Sequence, residues 1–245
     1  MNQRWYFVSD LHMFAARSQV DRWENVIEQT VCEADVLVLG GDIFDFRWST
    51  LPDIEQSVAA AIDWLSKIAS INPACQIHYV LGNHDFNERF CKSLSELCER
   101  LPNMQWHDYY FRAGNCLFLH GDVADRVMTH EQFVTERERW RADESKPAIS
   151  HRLYDVAMKL RLHKLATLLV NRRAQVIKRL EAYMADLDHG VHNELEHVYF
   201  GHTHARIDGW KSKGVTFHNG GAPMTGLAFE VLATRYRDRE LPADE

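Results

Sequence analysis

Seven side chains that offer lone pairs, and no thiol among them, stand directly after apolar runs: Asp10, His12, Asp42, Asn83, His120, His202 and His204. Oxygen and imidazole donors in this mixture suit borderline or hard divalent ions, with Mn²⁺ placed first and Fe²⁺, Zn²⁺ or Mg²⁺ as alternatives, and not a structural zinc held by cysteines. Seven ligands are too many for one catalytic ion that must keep a position open. They suit two ions sharing one carboxylate, separated by about 3.5–4 Å. Such a pair lowers the pKa of water and polarises a phosphoryl oxygen, which is the chemistry of phosphoester hydrolysis. Gly41, Gly82, Gly121 and Gly201 lie beside the ligands, where tight turns or a close backbone approach leave no room for a Cβ. A lone D-x-H or H-x-H pair would carry little; the ordered series, each block after an apolar run, is what points to a metal centre.

The elements that must position these residues are short strands. Trp5–Val8 runs into Asp10 and His12, Val36–Leu39 into Asp42, Ile77–Leu81 into Asn83, Cys116–Leu119 into His120, and Val198–Phe200 into His202 and His204. Five buried strands ending in polar clusters imply one shared sheet edge. Helical spacing appears over Val20–Cys32, from Pro52-Asp53 to Ile68 with a stop near Asn72-Pro73, and over Glu88–Leu101. Phe111–Leu119, with Gly114-Asn115 inside, reads as a hairpin, and Val215–Phe217 and Leu227–Leu232 as further strands. The tail from Arg235 to Glu245 is polar. Strand–helix alternation with clusters at strand C-termini predicts an α/β fold. Residues 1–245 read as one domain, with a helical insertion over about 124–192.

Composition narrows the classes. The 245 residues are 46% hydrophobic and 26% charged, as in a globular protein, and no apolar run reaches the length of a membrane span. The N-terminus lacks the apolar core of a signal peptide, so a mature cytoplasmic chain is expected. Five cysteines (Cys32, Cys75, Cys91, Cys98, Cys116) show no C-x-x-C spacing and read as reduced thiols in or near the core. The net charge of −7 argues against a nucleic-acid coat, yet between Lys146 and Arg179 nine Lys or Arg face a single acid, Asp155. That asymmetry points to an anionic ligand or surface. Of the 14 histidines, His78, His107, His130, His189, His192 and His197 read as non-catalytic, His78 inside a strand and the others in polar stretches.

Taken together, Asp10-Leu11-His12, Gly41-Asp42-Ile43-Phe44-Asp45, Gly82-Asn83-His84-Asp85, His120-Gly121 and Gly201-His202-Thr203-His204 resemble the calcineurin-like metallophosphoesterase superfamily over residues 10–204. The resemblance implies a four-layer αββα sandwich, two stacked sheets flanked by helices, with the insertion as a lid. It implies that Asp10, His12 and His204 hold one metal, that Asn83, His120 and His202 hold the other, and that Asp42 bridges both. By the same resemblance His84 and Asp45 are the catalytic pair: His84 contacts the phosphate and protonates the leaving group, and Asp45 orients it and raises its pKa.

The insertion bears on the substrate. Leu153, Val156, Leu160, Leu165 and Leu168 recur at helical spacing, and Arg152, Lys159, Lys164, Arg172 and Arg173 are candidate substrate-binding cations. Helical inserts at this place resemble those of the UDP-2,3-diacylglucosamine diphosphatases of lipid A synthesis, as does the block His218-Asn219-Gly220-Gly221. That resemblance implies a lipid-linked nucleotide cleaved to UMP and lipid monophosphate, and peripheral contact with the inner membrane through the basic insertion. The alternatives are a phosphatase or phosphodiesterase acting on a nucleotide or another soluble phosphoester, and a non-catalytic scaffold. Phe46-Arg47-Trp48 after Asp45 departs from the Arg-Gly of protein phosphatases, and His84 beside a full ligand set speaks against the scaffold.

Overall fold

The computed structural model describes residues 3–141, 173–187 and 194–238. Among the described residues, ten strands form two five-stranded sheets. The first has the order β10-β1-β2-β3-β4, from β1 (Trp5–Val8), β2 (Val36–Leu39), β3 (Gln76–Val80), β4 (Met104–His107) and β10 (Leu232–Ala233). The second has the order β5-β6-β7-β9-β8, from β5 (Tyr110–Ala113), β6 (Cys116–Leu119), β7 (His197–Tyr199), β8 (Ile207–Ser212) and β9 (Val215–Asn219). The strands β1 to β4 are parallel, as are β6, β7 and β9, while β10, β5 and β8 pair antiparallel at the margins.

Alternation along the strands sorts the layers. Trp5, Phe7, Val36, Val38 and Val80 of the first sheet meet Cys116, Phe118 and Tyr199 of the second, forming a core between the sheets. Their neighbours Val8, Leu37, Leu39, Ile77 and Tyr79 point the other way, onto α1 (Glu24–Glu33), α2 (Ile54–Ile71) and α3 (Glu88–Arg100). Leu117, Leu119, Val198 and Phe217 face α4 (His130–Arg141) and α5 (Arg173–Asp186), the described parts of the insertion. The result is the four-layer α/β sandwich that the resemblance implies. The clusters do not share one sheet edge, as the strand pattern alone suggested. They come from two facing sheets whose central strands run so that both deliver their C-terminal ends to one rim.

Local chemistry fixes the helices. Asp53 caps α2 by accepting from Gln56 N at 2.8 Å, and Val58, Ala61, Leu65 and Ile68 bury one face. Asn87 caps α3 by accepting from Arg89 N at 3.0 Å, with Phe90, Leu94 and Leu97 buried. The first helix begins later than its apolar spacing suggests: Val20–Arg22 is one 3-10 turn, and α1 starts at Glu24. The expected strand over Leu227–Leu232 is also cut short. Leu227 N donates to Met224 O across a turn with Gly226 at positive φ, Phe229 packs edge-on against Trp23 and forms an isolated bridge with Gly221, and pairing with β1 is left to Leu232 and Ala233. Of the cysteines, Cys75, Cys91 and Cys116 are buried and Cys98 is partly so, but Cys32 is exposed on α1. No helix among the described residues is long and apolar enough to cross a membrane.

Candidate metal centre

The loops beyond β1 and β2 extend the parallel pairing past the strands: Asp10 N donates to Gly41 O at 3.0 Å and His12 N to Asp42 O at 2.9 Å. On the second sheet Gly201 N donates to His120 O at 2.7 Å. Two bonds then tie the sheets together at the rim. His202 N donates to Asp10 Oδ1 at 2.8 Å, and His120 Nδ1 donates to Gly40 O at 3.2 Å. The turns are tight enough that Asp10, His12, Asp42, His202 and His204 all take the left-handed conformation, with φ between 46° and 63°. For a side-chain-bearing residue that conformation costs about 1–2 kcal/mol, and strain gathered this way is a mark of functional sites. Gly82 and Gly201 lack a Cβ for a reason of space: one at Gly82 would overlap the Asp42 carboxylate, and one at Gly201 that of Asp10.

Tautomers follow from the partners. A carboxylate or carbonyl can only accept, so His12 Nδ1 donates to Asp45 Oδ2 at 3.3 Å, and His202 Nε2 donates to Asp125 Oδ1 at 2.8 Å. With His120 Nδ1 committed to Gly40 O, each ring turns its remaining lone pair inward. The His12 Nε2 lone pair meets His204 Nε2 at 3.0 Å, Asp42 Oδ2 at 3.6 Å and Asp10 Oδ1 at 4.0 Å. His120 Nε2 meets Asn83 Oδ1 at 3.1 Å and Asp42 Oδ2 at 3.3 Å, and His202 Nδ1 meets Asn83 Oδ1 at 3.1 Å. Each of these contacts needs a proton or a cation between the facing atoms. The donor set therefore fits two divalent ions, one beside Asp10, His12 and His204 and one beside Asn83, His120 and His202, with Asp42 facing both.

The electrostatics agree. Burial disfavours an imidazolium at His120, yet Asp42 outweighs it and pushes the pKa up to about 10, a proton standing in for positive charge. Burial holds His12 down, and at His204 burial with the adjacent His12 does so strongly. Burial would raise Asp42, but His120 and His84 hold it well below the carboxylate range; at Asp10 burial prevails and the pKa rises. His84 lies partly exposed at the rim and donates Nδ1 to Asp45 Oδ1 at 2.9 Å. Burial would lower its pKa, but Asp45 and Asp42 raise it.

The family model for calcineurin-like phosphoesterases matches residues 4–206. The chain belongs to the calcineurin-like phosphoesterase family. As such it is a metal-dependent phosphoesterase, a hydrolase whose family uses two divalent ions. Among solved structures, a dimetal phosphatase from Danio rerio is 14% identical with a TM-score of 0.47, covering 94% of this chain and 92% of its own. Vps29 of Chaetomium thermophilum is 14% identical with a TM-score of 0.37, covering 97% of this chain and 78% of its own. No curated protein sequence matches the chain.

All nine residues expected at the phosphoesterase centre, His84 and Asp45 included, converge at the rim. The substrate-binding cations fare differently. Arg152, Lys159, Lys164 and Arg172 lie outside the described residues, and Arg173 is exposed at the start of α5. Four residues at the centre went unread in the sequence. Asp125 holds His202. Asp85 accepts from Tyr79 Oη, Gly82 N and Ile43 N and braces the Asn83-His84 turn; burial, with Asp42 nearby, pushes its pKa up to about 6. Asn219 donates to Gly201 O at 2.8 Å and Thr203 Oγ1 at 3.2 Å, fixing the H-x-H turn from β9. Asp122, just after Gly121, receives Arg137 of α4 at 2.7 and 3.0 Å. Only Asp85 and Asn219 stood within motifs, and neither motif states a contact. Among the other described histidines, His78 pairs with His107 and His197 with His218, with His107 and His197 in strands and not in polar stretches, and His130 meets Tyr183 Oη at 2.8 Å; His189 and His192 lie outside the described residues.

Proposed function

We propose that Asp10, His12 and His204 hold one divalent ion, that Asn83, His120 and His202 hold the other, with Asp42 bridging, and that this centre hydrolyses a small soluble phosphoester. The observation that carries the assignment is the convergence of these donor atoms, with the Nε2 lone pair of His12 facing His204, Asp42 and Asp10 while the other nitrogen of His12 donates to Asp45. Bound divalent ions would polarise the phosphoryl group and make water acidic enough to attack it near neutral pH. The chain's own residues prepare the rest. Asp45 keeps Nδ1 of His84 protonated and aims Nε2 at the rim, where a protonated ring gives its proton to the departing oxygen. The hydrogen bonds that the rings of His120, His12 and His202 donate to Gly40 O, Asp45 and Asp125 fix their tautomers in advance.

The finer reading, cleavage of the diphosphate of UDP-2,3-diacylglucosamine with the insertion as an acyl-binding lid at a membrane surface, has the run of cations from Lys146 to Arg179 behind it. Its second support, the Asn219-Gly220-Gly221 block, has another explanation in the bonds by which Asn219 braces Gly201 and Thr203. A soluble phosphoester is therefore the reading preferred, with Mn²⁺ the first metal to try. Metal analysis of the purified protein, together with hydrolysis of p-nitrophenyl phosphate before and after chelation, tests it. Two ions per chain and activity that returns with Mn²⁺ are expected; a single ion, or activity indifferent to chelation, would defeat the assignment.

A further inference from the structure

Residues 120–125 carry the chain from a candidate ligand, His120, to Asp125, whose Oδ1 accepts from His202 Nε2 at 2.8 Å. Between them Gly121 turns the backbone at φ 112° and Asp122–Ala124 form one 3-10 turn. A single turn of this kind has poor hydrogen-bond geometry and little stability of its own. Helices α4 and α5 hold it. Val123 and Ala124 are buried in one core with Val176, Ile177 and Leu180 of α5. Arg137 of α4 grips both oxygens of Asp122 at 2.7 and 3.0 Å. Arg179 of α5, half-buried, donates Nη1 to Ala124 O at 2.8 Å. Arg179 closes the basic run that begins at Lys146, and its guanidinium is directed at this carbonyl.

The bond to Ala124 O bears on the metal centre through one peptide. That carbonyl belongs to the peptide joining Ala124 to Asp125, and the N–H of the same peptide donates to Asp122 O at 3.1 Å. With both polar groups bonded, the plane from which the Asp125 side chain leaves is fixed. The Asp125 side chain is 65% exposed, so its position comes from this backbone and not from packing. An exposed carboxylate that must also order its own backbone loses entropy for the bond it makes. We propose that Arg179 is a positioning residue for the ion beside Asn83, His120 and His202. It fixes the Ala124–Asp125 peptide, Asp125 fixes the His202 ring, and the ring presents Nδ1. His12, whose far nitrogen is held by Asp45, lies outside this chain of contacts. The inference rests on the two-metal reading of the centre. Its sign is opposite to that of a charge effect: loss of a cation alone would strengthen the binding of a dication, whereas loss of the positioning bond weakens it.

The test titrates metal-free wild type, Arg179→Met, Asp125→Ala and the double variant with Mn²⁺ by calorimetry. Arg179→Met should weaken one ion about 10-fold, the same ion that Asp125→Ala weakens, and leave the other within about twofold. The double variant should bind that ion within about threefold of Asp125→Ala alone, because the two residues act along one path. Arg179→Lys keeps a donor and the charge and should recover most of the loss. If the Met form does not fold, Arg179→Gln, a shorter neutral donor, carries the same comparison. Equal weakening of both ions would make Arg179 a general support of the fold and overturn the proposal. So would unchanged affinity in Arg179→Met, or a double variant that shows the product of the two single losses. A wild type that takes up a single ion defeats the two-metal reading and this inference with it; two ions with the wrong pattern of losses defeat this inference alone.

Discussion

At the rim, His12, His84, His120, His202 and His204 stand among carboxylates. In the body of the sheets four other histidines meet mainly one another and aromatic rings. His78 Nδ1 and His107 Nε2 are 3.1 Å apart beneath Phe111, whose ring lies 3.9 Å from that of His78; His197 Nδ1 and His218 Nε2 are 3.1 Å apart, with Tyr199 stacked on His218 at 4.6 Å. Each pair joins neighbouring strands, β3 to β4 and β7 to β9. The same residue type thus does two kinds of work. Carboxylates and carbonyls hold one ring nitrogen of His12, His120 and His202 and release a lone pair for a cation. In the sheet pairs the lone pair of one ring accepts the N–H of the other, and burial keeps both neutral. A histidine becomes a candidate ligand through what holds its far nitrogen, not through burial.

The strongest test of that division is His84, the rim histidine to which we assign a proton and not a metal. His84 does lie within ligating distance of His12 and Asp42, so geometry alone would let it bind an ion. His84→Ala should keep both metals by elemental analysis and lose about 10²–10⁴-fold in turnover, as expected when a general acid is removed. Loss of an ion in this variant would move His84 into the ligand set.

Arg137 carries its charge inside the fold with its pairing complete. Fully buried, it engages Asp122 through Nε and Nη2, donates Nη1 to Asp108 O at 3.1 Å, and lies 4.9 Å from the Phe133 ring centre. Arg137→Met would strand the Asp122 carboxylate and should cost about 3–5 kcal/mol by urea unfolding. Arg137→Met with Asp122→Asn should recover much of that. A single variant as stable as wild type would mean that water reaches Asp122.

How far these features could be read in advance depended on whether they are written in residue types or in contacts. The candidate metal ligands were legible because Asp, His and Asn after apolar strands are unusual, and because β1, β2, β3, β6 and β7 are short, mostly buried runs. Two strands went unread. Met104–His107 pairs only with β3 and is buried fully only at Met104, so no alternation marks it. Ile207–Ser212 is broken by a register shift between Ile207 and Trp210, with Gly209 at φ 69°, and most of its side chains face outward. The split into two sheets was likewise hidden, since strand ends do not name their partners. Asp125 has no pattern at all; it matters through its contact with His202 across the fold.

The sheet pairs make the opposite prediction from the rim, one of pH and not of metal. Burial pushes the pKa values of His78, His107 and His218 down to about 4, with the partner imidazole adding to this at His78 and His218; burial also lowers His197, next to Arg235. An unfolded histidine takes up its proton near pH 6.5. Between there and about pH 4 the unfolded chain binds more protons than the folded one, so stability falls as pH falls. The slope is at most about 1.4 kcal/mol per pH unit for each group, so one pair loses up to about 3 kcal/mol for each pH unit within that window. Replacing one pair, as His78→Phe with His107→Leu, should flatten the urea midpoint between pH 6 and 5 relative to wild type under the same metal loading. Equal slopes would mean that these rings are already protonated or reach solvent.

The finest distinction lies within the rim itself. Gly40 O and Asp45 hold His120 and His12 from buried positions, but Asp125 reaches His202 from the surface, its side chain 65% exposed. Burial opposes a protonated His202, and the hydrogen bond it donates to Asp125 reverses that. If the far-nitrogen contact is what makes a ligand, Asp125→Ala should loosen the ion beside Asn83, His120 and His202 by about 10–100-fold and leave the ion beside Asp10, His12 and His204 within experimental error. Calorimetric titration of the metal-free variant with Mn²⁺ would show two steps drawn apart where wild type shows them closer. If both affinities stay unchanged, an exposed carboxylate at 2.8 Å is too well solvated to fix the ring. The division between rim and sheet histidines would then rest on buried partners alone.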